Sequence, residues 1–520
     1  MAKIRYFAGQ NWVILSLSVL FTCWALAFIH HASYVATDGR LYFNLFDDAL
    51  ISMRYAWNFA HGNGLVWNKG EYVEGYTNLL MTLLMAIASF FLEKRYAVLA
   101  IQLTGIVFVL GTAFCTVQIL NLLKPAKAPQ YILFATILLY YPLNYWSLLG
   151  METGLLAFLL SAGVLYSLLY AENLNTKHLW LMVLCFGLAY LTRNDSLLFA
   201  ALTFLYLTLT LKFGKMYIQL FLASGLTYSL FPVGQTLFRY WYYGQIVPNT
   251  YTLKLVGMAL DERLRNGWGF VQSFLRESSW VLVIAALGLF IKPSKQKFYL
   301  FGFFLISISY QIYVGGDPWT YWRIMAPTMP FVFVLLVSTC EEILNLTSIK
   351  PPGLIYPFLL IAITLAGLYK ADSRFLKEMS MQELPFDVEV AHKNIESAIA
   401  INEITKETAS IGVFRAGVLP YYVNQTAIDF LGKSDPYIAN LPPDTSGTMS
   451  WDGMNSVPGH NKYDLTYSIQ TLLPTYVDDL KWGTQDLTEW GKEHYVLVRY
   501  NKTWLWLLKD SPDVYWDKVK

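Results

Sequence analysis

Charge is what this chain has least of. Asp, Glu, Lys and Arg make up 14% of its 520 residues, against about 25% in an ordinary soluble protein. The two signs nearly cancel, at a formal net charge of +2, so no nucleic-acid partner is expected. Cysteine is scarce too. Cys23, Cys115, Cys185 and Cys340 all fall inside apolar runs, which excludes a disulfide framework and a Cys-x-x-Cys metal site in the polar part of the chain. The glycines of "HGNGLVWNKGEYVEGYTN" (61–78) are not a phosphate-cradling loop. They lack the strand–loop–helix context, and no Gly-Lys-Ser/Thr follows them there.

What the chain has instead is uninterrupted apolar length. Hydrophobic residues are 55% of the total and aromatic ones 17%. Apolar runs lie near 11–30, 77–92, 97–123, 130–149, 153–171, 178–192, 196–211, 216–238, 279–291, 298–314, 324–346 and 353–369, the pattern of a polytopic membrane protein. The first is long for a signal peptide and has no clear cleavage site after it, so it reads as a retained span. Lys3 and Arg5 put the N-terminus in the cytoplasm. If all twelve runs crossed, the loops bearing Lys124 and Lys127, Lys177, Lys212 and Lys215, and Lys292, Lys295 and Lys297 would fall outside. If 77–92 only dips into the outer leaflet or lies along it, every one of those loops turns cytoplasmic, with Lys350. About eleven crossings are therefore expected.

This topology gathers the ionisable residues at the span ends onto the outer face: Asp47, Asp48, Arg54, Glu71, Glu74, Glu152, Arg193, Asp195, Arg239, Lys254, Asp317 and Arg323. Such residues at a membrane edge are functional candidates, although arginines and aromatics there also serve as interfacial anchors. The densest stretch is "FDDALISMRYAWN" (46–58), in an external loop over 31–76. As a helix it would bring Asp47, Arg54 and Asn58 onto one stripe and turn Asp48 about 100° away. Ile51, Tyr55 and Phe59 beside the stripe would hold it against lipid. Either aspartate could serve the helix N-terminus, but that needs only one of them. The chemical reading is a general base beside an orienter or metal ligand. Trp67, Tyr72 and Tyr76 then offer flat faces, and Asn and Glu side chains hydrogen-bonding edges, of the kind that suit a sugar.

The stretch "FDDALISMRYAWNFAHGNGLVWNKGEYVEGYTN" resembles the first external loop of bacterial GT-C-fold membrane glycosyltransferases related to the mycobacterial terminal arabinofuranosyltransferase. The resemblance continues in order through "LLGMETGLLAFLL", "LTRNDSLL", "YYGQIVPNTYTLK", "GGDPWTYWRIMAPTMPF", "GVLPYYVNQTAIDFLGKSDPYIA" and "PGHNKYD". It departs at Asn194–Asp195–Ser196, where a proline–acid–glycine run is expected. The resemblance implies an inverting enzyme that moves a sugar from a polyprenyl-phosphate donor to a glycan or lipid-linked acceptor of the cell envelope. Asp47 or Asp48 would be the base. Arg54, Arg193, Lys254 and Arg323 are the cations available to the departing phosphate, with Arg54 and Arg193 favoured. Sugar or acceptor contacts are assigned to Asn58, Trp67, Glu71, Glu74, Tyr76, Glu152, Asp317 and His460.

No cofactor is required by this reading and no metal site is assigned. A divalent cation held by Asp47, Asp48, Glu71, Glu74 and Glu152 stays open. The expected fold is therefore a polytopic α-helical membrane module, GT-C-like, over residues 1–370, followed by a small soluble α/β domain over 371–520. Strands are expected at 409–414, 426–432 and 494–500 and an amphipathic helix at 389–405. The protein would sit in the bacterial inner (cell) membrane as a multi-pass protein among membrane lipids, with the site and the tail domain extracytoplasmic. Two other functions fit the composition: a transporter or flippase for a lipid-linked sugar, and a non-catalytic glycan-binding scaffold. The charges sit at run ends and no internal repeat is evident, which weighs against transport.

Overall fold

The computed structural model describes residues 2–123, 130–211, 214–319, 321–346, 367, 370, 372–450 and 453–519. Lys124, Lys127, Lys212, Lys350 and most of the expected span 353–369 lie outside the described residues. A first body is helical: α1 Ala2–His31, α2 Asp47–Ala60, α3 Leu79–Phe91, α4 Lys94–Leu122, α5 Gln130–Leu138, α6 Tyr141–Leu148, α7 Thr153–Asn173 and α8 Thr176–Thr192. It continues with α9 Leu197–Thr210, α10 Lys215–Tyr243, α11 Asn249–Leu255, α12 Leu260–Glu277, α13 Ser279–Ile291, α14 Lys295–Val314 and α15 Met329–Leu346. A short hairpin of β1 (Tyr34–Val35) and β2 (Leu41–Tyr42) joins α1 to α2.

Among the described residues five helices are long and apolar enough to cross a membrane, or six if α12 and α13, which meet at 83°, form one bent span. α3, in the run 77–92, has 13 residues, about 20 Å at 1.5 Å per residue, short of a bilayer core. The run 130–149 is not one helix. It breaks between α5 and α6, and Pro142 stands in the first turn of α6, where it keeps Tyr140 and Tyr141 from continuing the preceding helix. Small residues allow close helix contact: a Cβ on Gly105 of α4 would lie 2.2 Å from the Ser147 carbonyl of α6.

The tail contains a five-stranded mixed sheet in the order β4-β3-β5-β9-β8, from β3 Ser410–Val413, β4 Thr426–Asp429, β5 Tyr476–Val477, β8 Tyr495–Tyr500 and β9 Thr503–Leu508. A two-stranded ribbon of β6 (Lys481–Trp482) and β7 (Gln485–Asp486) stands apart from it. β3 pairs in parallel with β4 and β5, while β9 pairs antiparallel with β5 and β8. The helix Val388–Ile404 buries Ala391, Ile395, Ala398 and Ile401 along one face, the helical period expected from its sequence.

This sheet body covers α2, and here the lipid-facing expectation is corrected. Ile51 and Tyr55 do not meet lipid. They are 4% and 0% exposed, in an apolar cluster with Ile401, Val413 and Leu419 of the tail. Only Phe59 of the three expected anchors is open, at 48%. A fully buried aromatic contributes about 2–3 kcal/mol, so α2 is fastened to the tail rather than floating on the membrane.

Candidate active site

Asp47 and Asp48 begin α2, where the unpaired N–H groups of a helix start favour negative charge. One step of about 100° separates their directions, and the surroundings differ accordingly. Asp47 Oδ1 accepts from the Val418 N–H at 2.9 Å, in the tail. Burial pushes its carboxyl up, against the opposing pull of Lys433 and Arg415. Asp48 faces a cavity of about 400 Å³.

The cavity is built where helix ends converge. Asp48, Glu152, Asp195 and Asp317 supply its acids, and Arg193, Arg239, Lys254, Arg323 and Lys433 its cations. Asp48 Oδ2 accepts from Arg323 Nη1 at 2.9 Å and Trp319 Nε1 at 3.0 Å. Lys433 Nζ, from the tail, stands 3.4 Å from Asp48 Oδ1. Burial alone would raise the Asp48 carboxyl. Lys433, Arg323 and Lys254 outweigh it and hold the group well below the usual carboxylate range.

Arg323 is presented by a strained turn. Tyr321 and Trp322 both have left-handed φ, 61° and 52°, which costs about 1–2 kcal/mol per bulky residue. Their side chains lock the turn. Tyr321 donates to Glu378 at 2.6 Å and Trp322 to Glu277 at 2.9 Å, while Trp146 donates to the Tyr321 carbonyl at 2.9 Å. The second guanidinium nitrogen of Arg323 then reaches Asp317 at 2.6 Å.

On the far wall Arg193 is shared by two acids, Glu152 at 3.0 Å and Asp195 at 2.8 Å. Asp195 takes it by both oxygens despite the departure from the family run at 194–196. Arg239 is clamped to Glu74, with one bond at 3.1 Å. Lys254 differs from all of these. At the end of α11 it makes no hydrogen bond or ion pair among the described residues, and its stem lies against Gly459, where a Cβ would meet Cε at 3.2 Å. Burial, with Arg323 and Lys433 adding to it, lowers the Lys254 ammonium, while Asp317 and Asp48 oppose.

The sequence-derived candidates therefore divide. Asp48, Arg193, Lys254, Arg323, Tyr76, Glu152 and Asp317 come together at the cavity. Asp47, Arg54, Asn58, Trp67, Glu71, Glu74 and His460 do not line it. Arg54, favoured as a phosphate ligand, is turned the other way. Its guanidinium donates to the Trp67 carbonyl at 2.7 Å, Asn68 at 2.9 Å and the Gln425 carbonyl at 3.1 Å, and also to the Pro420 carbonyl. Asn58 holds the carbonyls of Val66 and Trp67 at 2.9 and 3.0 Å. Trp67 is core, 3% exposed beneath Arg54 rather than open to a sugar. Glu71 is exposed and bonded to Asn68 at 2.9 Å.

His460 lies edge-on behind Trp319, with ring centroids 5.6 Å apart. Burial, assisted by Lys433, lowers its pKa to about 3, so the ring is neutral. Tyr421 and Asp429 of the tail are structural. Tyr421 is 1% exposed and donates to the Lys94 carbonyl, and Asp429 accepts from the N–H groups of Leu431 and Ser434. Among the described residues no group of three or more His, Cys, Asp or Glu side chains could hold a metal ion. Of the acids named for one, Asp48, Glu74 and Glu152 each pair with an arginine.

Lys433, Trp319 and the seat of Asp47 against Gly417 and Val418 are not among the sequence-derived candidates. The signal for Lys433 was the tight "LGKSDP" turn. It carries one lysine between Gly432, at φ +75°, and Asp435, which accepts from the Tyr437 N–H.

Comparison with known proteins agrees with this architecture. Over 274 residues the chain is 28% identical to the terminal β-(1→2)-arabinofuranosyltransferase of Mycobacterium tuberculosis, covering 48% of this chain and 41% of the relative. It is 27% identical over 253 residues to the enzyme of the same name from Corynebacterium glutamicum, covering 44% and 35%. The matched part thus spans about two-fifths of those relatives' length. Residues 382–514 match a family model described as a domain of unknown function, DUF8728. Among solved structures, ArnT from Cupriavidus metallidurans in the apo state superposes with a TM-score of 0.55 at 11% identity, covering 81% of this chain and 86% of that one. The same protein bound to undecaprenyl phosphate gives 0.54 over 79% and 85%, also at 11% identity. The archaeal oligosaccharyltransferase AglB from Archaeoglobus fulgidus, in complex with an inhibitory peptide and a dolichol-phosphate, gives 0.53 at 11% identity over 97% and 75%. The chain has the GT-C fold and is related in sequence to the terminal arabinofuranosyltransferases.

Proposed function

We propose that this GT-C protein is an inverting membrane glycosyltransferase. It moves a sugar from a polyprenyl-phosphate donor to a glycan or lipid-linked acceptor, with Asp48 as general base. The observation that carries the reading is one cavity holding both halves of the chemistry: a carboxylate, Asp48, and cations, Arg323 and the unengaged Lys254. In the reaction the acceptor hydroxyl attacks C1 of the sugar from the face opposite the phosphate. Asp48 takes the hydroxyl proton as the new C–O bond forms. The bond from C1 to the phosphate oxygen breaks, and the electron pair stays on the lipid phosphate. Lys254 and Arg323 hold that charge as it develops, the stage at which fixed cations lower the barrier.

Arg193, which Glu152 and Asp195 share, lines the far wall of the same cavity. The neighbours bound to undecaprenyl phosphate and dolichol-phosphate support a polyprenyl carrier, and the curated relatives make arabinofuranose the first sugar to try. The lysine-bearing loops favour a cavity and tail on the extracytoplasmic side of a multi-pass inner-membrane protein.

The test is transfer by purified, lipid-reconstituted protein offered a panel of polyprenyl-phosphate sugars, arabinofuranose included. A glycosylated acceptor with inverted anomeric configuration supports the proposal. Transfer from nucleotide sugars alone, or movement of the lipid-linked sugar across the bilayer with no new bond, would contradict it.

A further inference from the structure

Asp48 is paired with two cations, which is an odd state for a base, although its Oδ1 makes no hydrogen bond among the described residues. Arg323 and Trp319 donate to one oxygen at 2.9 and 3.0 Å, and Lys433 stands 3.4 Å from the other. A carboxylate held by two cations is a poor proton acceptor. For Asp48 to become an effective base, one of these two cations has to move away.

The structure distinguishes which one can. Arg323 is fixed by its second acid, Asp317 at 2.6 Å, and by the Trp146 ring, 5.7 Å from its Cζ. Trp319 is wedged between Phe46 and His460, with ring centroids at 4.8 and 5.6 Å. Lys433 carries a single ammonium on a flexible four-carbon stem, and Asp48 is its one ion-pair partner within 4 Å among the described residues. Its backbone is held independently of that ammonium. Asn249 donates to the carbonyls of Gly432 and Lys433 at 2.9 and 3.0 Å, and Asp429 accepts from Leu431 and Ser434 at 3.1 and 2.8 Å. The turn is thus a rigid mount for one movable charge, and that charge opens onto the same cavity as Lys254.

We infer that Lys433 exchanges between two anions, the Asp48 carboxylate and the phosphate of a lipid-linked donor, so that engaging the phosphate unmasks the base. This rests on Asp48 being the base. It makes the tail body a direct contributor to the reaction, since its lysine would keep the acid inactive until a donor phosphate is in reach. Burial alone would lower the Lys433 ammonium, but the carboxylates of Asp48, Asp429 and Asp47 outweigh it and keep the group charged, as an exchanging cation must be.

The test measures binding of undecaprenyl phosphate to the full chain in lipid nanodiscs, for wild type, Lys433→Met, Lys433→Arg, Asp48→Asn and the Lys433→Met/Asp48→Asn pair. Losing one charge-assisted contact predicts binding weakened on the order of tenfold in Lys433→Met, with Lys433→Arg within about threefold of wild type. Asp48→Asn removes the competing anion and tightens binding several-fold, and that gain is lost when residue 433 is Met. Wild-type affinity in Lys433→Met, or an equal gain from Asp48→Asn in both backgrounds, would overturn the exchange while leaving the transferase reading intact. A wild-type protein that does not bind undecaprenyl phosphate at all would overturn both.

Discussion

Asp47 and Asp48 are adjacent in the chain and point about 100° apart around one helix. The first accepts from the Val418 N–H of the tail at 2.9 Å, and the second from Arg323 at the cavity, also at 2.9 Å. One acid fastens the tail to the helix and the other faces the cavity. This division means that docking of the tail and assembly of the reactive cluster are joined through a single turn of α2.

The docking contact is tight enough to test directly. A Cβ added to Gly417 would lie 1.9 Å from the Asp47 carbonyl oxygen, and neither backbone can yield without moving α2 or the tail. Gly417→Ala should lower transfer at least about a hundredfold and make the region after residue 372 easier to cleave in limited proteolysis. Equal activity and equal protease resistance would show that the two bodies need not sit this way.

Arg54 should behave as a structural residue. Replacing it with Met leaves the carbonyls of Pro420 and Gln425 without their donor, while the Trp67 carbonyl keeps Asn58. With unsatisfied buried groups at about 1–3 kcal/mol each, the loss should be about 3 kcal/mol or more, seen as a lower thermal midpoint. The fraction that remains folded should keep a donor KM close to that of wild type, whereas a phosphate ligand would raise it.

Much of this arrangement was legible in the sequence, and the limits have physical causes. The 100° step between successive helical residues already separated Asp48 from Asp47, Arg54 and Asn58, and in the structure those three stay off the cavity, with Asp47 and Arg54 bonded to the tail and Asn58 to the 66–67 backbone. Period and composition give a face but not what covers it, so Ile51 and Tyr55, expected against lipid, lie under the tail instead. The strands Ser410–Val413, Thr426–Asp429 and Tyr495–Tyr500 stand where runs of β-formers pointed. Tyr476–Val477, two residues long, gave too short a run to see. The "LGKSDP" turn marks Lys433 as a lysine on a fixed mount, but its meeting with Asp48 depends on how that distant turn lands on the helical body.

Lys254 gives the site a pH signature. Its ammonium is lowered by burial and by Arg323 and Lys433, so it loses its proton at a lower pH than an ordinary lysine, near 10.4. The charged form is the one that holds phosphate, so donor KM should rise on the alkaline side as that proton leaves. Lys254→Arg, which stays charged, should move or abolish this alkaline rise, and Lys254→Met should raise KM by about tenfold at neutral pH. A Lys254→Arg profile that keeps the alkaline limb of wild type would assign the limb to another group.

The most direct test of the whole account is to compare turnover of a polyprenyl-phosphate sugar by Asp48→Asn and Asp47→Asn under single-turnover conditions. With Asp48 as base, Asp48→Asn should lose about a hundred- to ten-thousandfold in rate while still binding undecaprenyl phosphate. Asp47→Asn, which can still accept from Val418, should stay within about tenfold of wild type. Near-normal turnover in Asp48→Asn, or a collapse confined to Asp47→Asn, would contradict it.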